Sequence, residues 1–469
     1  MADDAREAPV DAARRMGVNI FDESKPMWQL LVVFVIPLML SNIMQSASQT
    51  FNNVFVGRML GVDALAGVSS VFPVIFLLFS FLIGIASGST VLIGQAYGAG
   101  DQHRVKKVAG TVLGATLGFG IIVGILGPLI APWMLVALGT PSNILADADA
   151  YAKIVFLISP IIFPYIAYTT FLRGTGDSTT PFYFLIISTL LSLILTPALI
   201  RGWFGLPQMG IVAAAVANLI SNAVAFAALI AWLARLRHAL RFDAEMARDM
   251  LVDWKVLWAV LRIGVPTGIQ VIMVSLAEIA VISFVNRFGS NATAAYGAVN
   301  QVIAYVQFPA ISMSIGASIF GAQCIGARRE DMLGKVVRSA VTLNYAIVGS
   351  FVVVCYLFAW LILGWFIIDP KTLEIAHSLL MITLWSYLLF GNSAVISGVI
   401  RSSGTVLVPT LNGIFAIWGV EVPAAYLLMH FYGLNGVWMG YPISFAVVLC
   451  LQYVYYTFFW KKRTHARLA

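Results

Sequence analysis

The chain has 469 residues, of which 60% are hydrophobic and only 10% are charged, and its mean hydropathy is +0.91. Soluble domains carry about 25% charged residues, so this composition excludes a soluble globular protein and indicates an all-α integral membrane protein. The formal net charge is +7, but we expect no nucleic-acid partner, because the basic residues follow the pattern of a membrane topology.

The amino-terminal segment is the first polar stretch of the chain. Residues 1–28 include six acids and lack the apolar core of a secretory signal peptide. We therefore predict an uncleaved cytoplasmic tail over residues 1–28.

Twelve apolar stretches follow this tail, each long enough for the roughly 20 residues that cross a bilayer. The longest polar interruption, Arg235–Lys255, divides them into two sets of six. We predict an amino-terminal bundle over 29–234, a cytoplasmic linker over 235–257, a carboxyl-terminal bundle over 258–460 and a cytoplasmic tail over 461–469. The predicted spans, one to twelve, lie near 29–55, 64–95, 108–137, 150–172, 181–200, 211–233, 263–285, 294–320, 336–367, 375–400, 406–430 and 437–460.

The basic residues indicate the orientation of these spans. If both termini are cytoplasmic, the segments on that side hold 23 of the 28 Lys and Arg residues. Cytoplasmic loops carry such an excess, so we predict that both termini are cytoplasmic. The opposite side keeps only Arg58, Lys153, Arg201, Arg287 and Lys371.

The two halves of the chain repeat each other. GQAYGAGD at 94–101 matches AQCIGARRED at 322–331, and RGTGDSTTP at 173–181 matches RSSGTVLVP at 401–409. Each of these two pairs is separated by 228 residues, and the motifs FVGRMLG and FVNRFG are separated by 229. Matches in one order at one offset indicate an internal duplication. Because each half has six spans, the halves are parallel repeats, which typically bind a transported substrate in the cleft between them.

Four stretches carry a resemblance to a known family: IPLMLSNIMQSASQTFNNVFVGRMLG, GQAYGAGD, LRGTGDSTTP and RIGVPTGIQVIMVSLAEIAVISFVNRFG. They resemble the multidrug and toxic compound extrusion (MATE) family, most of all its bacterial, DNA-damage-inducible-protein-like branch. The resemblance covers residues 28–460 and implies the V-shaped MATE fold of two pseudo-symmetric six-helix bundles. It also implies a secondary active antiporter of the bacterial inner membrane. Such a protein exports organic, often cationic and amphiphilic, compounds in exchange for protons or sodium ions.

Both acids that the family places in its amino-terminal cation site are replaced in this sequence. Aligned on the motif FVG, the aspartate of the family pattern VDTIFVG falls on Asn52. In the fifth-span pattern NIVLDPLLI, the amide and the acid fall on Ser192 and Thr196. An Asn can coordinate a cation through its carbonyl but cannot exchange a proton near pH 7. We therefore do not expect a proton relay through the first half.

Two of the 21 acids lie deep within predicted spans, Glu278 in span seven and Glu421 in span eleven. An ionisable group at such a depth costs at least about 2.5–3.5 kcal/mol, so it typically faces a cavity or a partner. Each comes about fifteen residues into its span, or roughly 22 Å along the helix axis. We predict that they bind the coupling ion together, and two close carboxylates favour a proton slightly over sodium. The alternative is a protonated acid bonded to neighbouring backbone. The resemblance itself implies a glutamate about four residues before Glu278.

Other polar side chains in the spans are candidate walls of a substrate cavity. Aligning FVGR with FVNR pairs Gln49 with Glu278, and Gln49 belongs to a stripe of amides along one face of span one. Unsatisfied amides do not face lipid, so this stripe either lines the cavity or packs on a neighbouring span. Tyr387 is one of several aromatic residues that offer a face to an organic cation. The predicted cavity residues are Gln45, Gln49, Asn52, Asn53, Tyr168, Gln270, Gln301, Tyr305 and Asn392.

Other functional classes fit the sequence less well. The nucleotide-binding pattern G-x-x-x-x-G-K-[ST] is absent, which argues against a primary pump. An embedded enzyme needs a nucleophile or a metal cluster at depth, and the cysteines and histidines show no metal spacing. A flippase of a lipid-linked or amphiphilic metabolite is the main alternative. Its cleft would favour Lys and Arg deep within the spans, and the predicted spans have none there. A passive channel does not explain two buried acids. We expect a monomer in the lipid bilayer that binds small organic substrates, with no ATP, cofactor, metal or enzyme activity.

Overall fold

A computed structural model of the chain describes residues 17–468, and its regular secondary structure is helical throughout that range. Within these residues, eleven helices are long and apolar enough to cross a membrane, and one bent pair of helices makes a twelfth span. The prediction of an all-α protein with twelve spans is therefore confirmed, with the fourth span broken. Residues 1–16 of the predicted amino-terminal tail, and Ala469 at the other end, lie outside the described residues.

The spans of the structure keep the predicted numbers, and most extend beyond the predicted bounds. Span nine is an exception, because it ends at Leu357 rather than at residue 367. Spans one to six are Met27–Leu60, Val62–Gly98, Gln102–Ala137, the pair Leu145–Leu157 and Ser159–Gly174, Thr179–Arg201, and Gly210–Arg235. Spans seven to twelve are Trp254–Asn286, Ser290–Gly326, Glu330–Leu357, Pro370–Ser402, Leu407–Tyr432 and Leu434–Trp460.

Tight glycine turns join the first two spans of each half. Gly61 separates spans one and two with φ of 96°, and Gly289 separates spans seven and eight with φ of 94°. Residues with a Cβ rarely adopt these angles, whereas glycine does so without steric cost. The glycine that ends both FVGRMLG and FVNRFG is thus explained by the turn that each repeat makes.

Span four differs from the single straight helix expected over 150–172. Its two helices meet at Ile158 with a bend of 53°. Pro160 has no amide hydrogen to continue the first helix, and a proline ring displaces the carbonyl one turn earlier. Span three lies close against this break, because a Cβ on Gly120 would come within 2.8 Å of the Ser159 carbonyl oxygen.

The chain folds as two compact units whose boundaries fall inside spans one and seven. The first unit includes residues 40–264, and the second includes residues 20–39 and 265–468. From the sequence we expected the bundles to end at 234 and begin at 258, the two ends of the linker. The units of the structure divide inside spans one and seven instead. In the second unit, the start of span one packs on span eight, where the rings of Phe34 and Phe320 are 5.5 Å apart. In the first unit, the start of span seven packs on span two, because Gly264 closely approaches Gly84.

The linker between spans six and seven is a folded part of the first unit. A short helix, Ala244–Asp249, begins where Asp243 accepts a hydrogen bond from the Met246 amide at 3.1 Å. Lys106 at the start of span three forms ion pairs with Asp243 at 2.7 Å and with Glu245 at 2.8 Å. This polar segment is therefore fixed to the first bundle by charge as well as by packing.

A buried histidine stabilises the same segment. The Nδ1 atom of His238 accepts a hydrogen bond from the Leu240 amide at 3.1 Å, and the imidazole is 3% exposed. Burial lowers the pKa of His238 to about 4, so the ring is neutral at pH 7. A neutral Nδ1 can accept this hydrogen bond, whereas a protonated one cannot.

The ion pairs of Lys106 predict a pH-dependent loss of stability in Lys106→Met. Hydrogen bonds from Lys106 and then from His103 hold the pKa of Glu245 below its usual value. For Asp243, burial alone would raise the pKa, but hydrogen bonds from Lys106, the Met246 amide and Arg241 lower it overall. The stability that a lowered carboxyl pKa provides is present at neutral pH and is lost as the pH falls through the folded-state value. We expect the melting temperature of Lys106→Met to be lower by about 2 °C at pH 7.

This difference should shrink towards pH 3, when thermal unfolding of the purified protein is followed by fluorescence in detergent. The matched control is Lys255→Met, an exposed lysine of the same region whose ammonium makes no ion pair among residues 17–468. If Lys106→Met lowers the melting temperature equally at pH 7 and pH 3, the Lys106 side chain acts by packing alone.

Candidate functional site

Glu421 lies in an irregular turn of span eleven. The segment Phe415–Glu421 forms a π-helix, and Pro423 follows it in the first turn of the next helical segment. A proline cannot donate a backbone hydrogen bond, and its ring crowds the carbonyl one turn earlier. The wider turn of a π-helix accommodates both effects. Glu421 ends this turn and is 5% exposed, so the structure buries the acid that the sequence places deep in the membrane.

Span twelve provides the hydrogen-bonding partner of this turn. The Ser444 hydroxyl, which is 1% exposed, donates to the Ala416 carbonyl oxygen at 2.9 Å. One turn before Ser444, a Cβ on Gly440 would lie 3.0 Å from the Glu421 carbonyl oxygen. The absence of a side chain at Gly440 therefore lets the two helices come close enough for Ser444 to reach the turn.

A tyrosine cluster adjoins the buried acid. The hydroxyls of Tyr296 in span eight and Tyr441 in span twelve are 2.9 Å apart. Tyr296 interacts electrostatically with both Glu278 and Glu421, and so does Tyr387 of span ten. Three phenol groups from three spans thus lie in the neighbourhood of the two acids.

Glu278 belongs to the same unit but lies in different surroundings. The two carboxyl groups are close enough to interact electrostatically. Glu278, however, is exposed on the surface of the second unit, as are its neighbours Leu276 and Ile279. The two acids thus lie in one unit, with Glu421 buried and Glu278 exposed on the surface of that unit. Their joint role in binding an ion stays a prediction.

In the first unit, the positions of the two replaced family acids meet. The Thr196 hydroxyl donates to the Asn52 side-chain oxygen at 3.1 Å. Asn52 is 8% exposed and Thr196 is fully buried. Ser192, one turn before Thr196, is also buried, and its hydroxyl has no hydrogen-bond partner among residues 17–468. The result is a compact polar cluster without an ionisable group.

The stripe of amides on span one is divided between a packed part and an open part. Gln45 and Gln49 are exposed on the first unit, whereas Asn53 is half-buried and Asn52 packs on span five. Packing therefore accounts for Asn52. A cavity role for the exposed pair, Gln45 and Gln49, stays a prediction.

The remaining predicted cavity residues have varied surroundings. Tyr168 does not lie on an open surface, because it is fully buried and its hydroxyl donates to the Leu240 carbonyl of the linker. Asn392 is also buried and accepts a hydrogen bond from Asn344 at 3.0 Å. These two side chains have packing roles that helical periodicity does not distinguish from cavity roles.

Three other predicted cavity residues are partly accessible. Gln270 in span seven accepts a hydrogen bond from Arg401 at 2.5 Å. Gln301 and Tyr305 in span eight are half-buried. Gln301 and Tyr305 keep exposed surface that a substrate could contact. Gln270 instead packs between Arg401 and span eleven, where a Cβ on Gly413 would lie 2.4 Å from its Nε2 atom.

Sequence reasoning missed Ser444, Tyr296 and Tyr441, polar groups that join the helices of the second unit. One signal was present, since Gly436, Gly440 and Ser444 recur at four-residue intervals and form a face of small residues on span twelve. Small residues mark close helix contacts in membranes. The partner across such a contact is not readable from local sequence.

Comparison with known proteins places this fold in a family. The MatE family model matches the chain twice, over residues 37–198 and 266–427. The second match is displaced by 229 residues, since it starts at 266 and the first starts at 37, which confirms the internal duplication.

Relatives match over nearly their whole lengths. The probable multidrug resistance protein YoeA of Bacillus subtilis (strain 168) is 52% identical over 449 residues, which are 95% of this chain and 97% of that protein. The probable multidrug resistance protein NorM of Thermotoga maritima is 25% identical over 87% of this chain and 88% of its own. The solved structure of a variant of the Vibrio cholerae MATE transporter VcmN shares the fold, with a TM-score of 0.85. It is 20% identical and covers 92% of this chain and 96% of its own.

Both family matches and the extensive identity to a relative show that this multi-pass membrane protein belongs to the MatE family, a family of transporters.

Proposed function

We propose that this protein is a secondary antiporter that exports small organic compounds, cationic and amphiphilic in character, across the cytoplasmic membrane of a bacterium. The names of its relatives as multidrug resistance proteins support this substrate class. The positive-inside distribution of Lys and Arg supports cytoplasmic termini. A monomer with twelve spans is sufficient for the proposed activity.

The pair of acids in the second unit is the observation on which this proposal rests. A carboxyl group in the bilayer is costly unless a proton, a cation or hydrogen bonds neutralise or stabilise it. Glu421 is buried and Glu278 is accessible, and the two interact. In this proposal the surface that carries Glu278 faces an aqueous cavity, so its carboxyl group exchanges an ion with water. The buried Glu421 holds that ion while the protein changes conformation.

A proton suits this arrangement better than sodium. Hydroxyls near an acid can donate to its carboxylate and accept from its protonated form, so a change of protonation leaves the surroundings satisfied. Two neighbouring carboxyl groups also disfavour the doubly ionised state. We therefore favour proton exchange at Glu421 and Glu278.

Ion binding drives transport only if it distinguishes two conformations. A ligand shifts a conformational equilibrium by its differential affinity for the two states and by nothing else. In the proposed cycle, protonation of Glu421 favours release of the organic cation, and loss of that proton restores the form that binds it. Because a proton and the organic cation compete for the same carboxylate region, one must leave before the other binds. Transport is therefore an obligatory exchange of the two.

Transport of ethidium by the purified protein in liposomes tests this function. A proton gradient and a sodium gradient are imposed separately, each with the membrane potential set to zero. We expect the proton gradient to drive uphill movement of ethidium and the sodium gradient alone to fail. Movement of ethidium only down its own gradient, whatever ion gradient is imposed, would contradict antiport.

Glu421→Gln and Glu278→Gln should each abolish gradient-driven ethidium transport. Glutamine keeps the shape of the side chain but cannot exchange a proton. The matched control is Glu374→Gln, an exposed glutamate in span ten, which should retain the wild-type rate. The comparison uses initial rates at equal amounts of reconstituted protein. Full transport in the Glu421→Gln, Glu278→Gln double variant would disprove the role of both acids.

Asn52→Asp should add an ionisable group to the polar cluster of the first unit. The new carboxyl group would lie beside Thr196 and Ser192 and would change the pH dependence or the sodium dependence of ethidium transport. Asn52→Ala, which removes the amide without adding a charge, should alter the apparent affinity for ethidium more than its ion dependence. The measurement is the transport rate as a function of pH and of sodium concentration. Identical profiles for wild type and both variants would assign the cluster to packing alone.

A further inference from the structure

The linker between spans six and seven runs along the side of span three. Lys106, Gly110 and Gly114 recur every four residues and form one face of that span. Lys106 pairs with Asp243, and both glycines lie against the linker, where a Cβ on Gly114 would collide with the Met250 carbonyl oxygen. Gly114 follows Lys106 by eight residues, or about 12 Å along the helix axis. The linker therefore descends from the charged end of span three towards its apolar part.

The chain then returns to the charged end of span three. Asp253 forms an ion pair with Lys107 at 2.8 Å, just before span seven begins at Trp254. Leu251 lies at the turning point, next to the residue that meets Gly114, and is 80% exposed. Span three is apolar at this level, because residues 108–118 include no charged side chain. Leu251 is thus placed to enter the interface of the membrane.

The charges of the linker are sorted between two sides. The lysines of span three pair with Asp243, Glu245 and Asp253, and one carboxyl oxygen of Asp249 is buried. All four acids between residues 235 and 262 are thereby turned towards the protein. Five basic side chains of the same stretch are exposed and form no ion pair among residues 17–468; they are Arg235, Arg237, Arg248, Lys255 and Arg262.

The short helix of the linker shows the same sorting. Met246 is fully buried, with its sulfur 3.6 Å from the Tyr168 hydroxyl. Arg248, two residues later, points to the opposite side and is exposed. Leu251 follows Arg248 by three residues, and its amide donates to the Arg248 carbonyl oxygen at 3.1 Å. A basic and an apolar side chain are therefore neighbours on the outer face.

Two tryptophans extend this face along the start of span seven. Trp254 and Trp258 are one helical turn apart, and they are 76% and 69% exposed. Lys255 follows the first ring directly, and Arg262 lies one turn beyond the second. Tryptophan rings favour the boundary between lipid and water, and long basic side chains reach from there to the phosphate groups. Exposed apolar side chains beside unpaired cations are typical of segments that lie in a membrane interface.

We infer that Leu251, Trp254 and Trp258, together with the five unpaired cations, form a binding surface for anionic phospholipids. The apolar side chains enter the leaflet on the linker's side of the membrane, and the cations attract its negatively charged headgroups. A soluble partner does not fit this surface, because the linker descends along the apolar wall of a membrane span. The inference does not depend on ion exchange at Glu421 and concerns a different unit of the protein.

Tryptophan quenching by brominated lipids tests the binding surface in the full-length protein. Vesicles contain equal amounts of phosphatidylglycerol, which is anionic, and phosphatidylcholine, which is zwitterionic. Only one of the two carries bromine, which quenches a tryptophan that it contacts. The signal of the surface is the difference between the wild type and the Trp254→Phe, Trp258→Phe variant. We expect brominated phosphatidylglycerol to quench this signal more strongly, and we expect the preference to disappear at about 1 M salt, where charges are screened.

Arg248→Gln combined with Lys255→Gln should weaken the preference at low salt. One basic residue near an anionic surface changes the affinity about fivefold, so the apparent affinity for phosphatidylglycerol should fall by about fivefold or more. The matched control is Lys335→Gln combined with Arg338→Gln, which removes two exposed cations at the start of span nine and should keep the wild-type preference. Each variant is compared with its own Trp254→Phe, Trp258→Phe partner.

Trp133 provides a control for the lipid contact itself. It is 80% exposed at the other end of span three, and the chain has no Lys or Arg between residues 108 and 152. The signal that is lost in Trp133→Phe should therefore be quenched equally by the two brominated lipids. A preference of equal size at Trp133 would show that the headgroups act everywhere, which contradicts a specific surface.

Three further results would overturn the inference. The first is equal quenching of the wild-type surface by both lipids at low salt. The second is an equal loss of preference in the span-nine control, because net charge would then explain the effect. The third is loss of the preference on adding soluble glycerol phosphate at constant ionic strength, which would identify a site for small anions instead of a membrane surface.

Discussion

The need to satisfy every polar group within the helices determines the chemistry of this protein. Lipid offers no hydrogen bonds, so a carboxyl group or a free carbonyl between spans must find its partner inside the bundle. Glu421 is buried in the second unit, where Ser444 of span twelve donates a hydrogen bond to the backbone of the same turn. Pro423 leaves a carbonyl of its own helix without the usual backbone donor, because proline has no amide hydrogen. The π turn ends just before this proline, and the face of small residues on span twelve lets the two helices approach there.

Duplication gave both halves the same scaffold, and their polar groups have since diverged. Gly61 and Gly289 make equivalent turns with nearly equal φ. The first unit has a neutral cluster of Asn52 and Thr196, whereas the second has interacting glutamates. Neutral side chains satisfy one another at little cost, while paired acids respond to pH and to cations. This difference between the halves places the proposed ion exchange in the second unit and leaves the first unit to contribute polar surface.

Hydropathy and repetition predicted the parts of the fold that depend on local sequence. The twelve spans, their order and the duplicated motifs follow from runs of apolar residues and from offsets along the chain. The depth of Glu421 was predicted for the same reason, since only two acids interrupt the spans. Local sequence does not encode which helix faces another, so Tyr168 was assigned to a cavity although it binds the linker, and Ser444 was missed. The bend of span four and the unit boundaries within spans one and seven also depend on contacts between distant residues.

Proton release on binding of an organic cation tests the central claim most directly. Calorimetric titration of the purified protein with ethidium, in sodium-free buffers of different ionisation enthalpy, counts the protons released. The account predicts that wild-type protein releases protons near the pH at which Glu421 titrates and that Glu421→Gln releases fewer at the same degree of binding. Binding without proton release in the wild type, or equal release in Glu421→Gln, would contradict it.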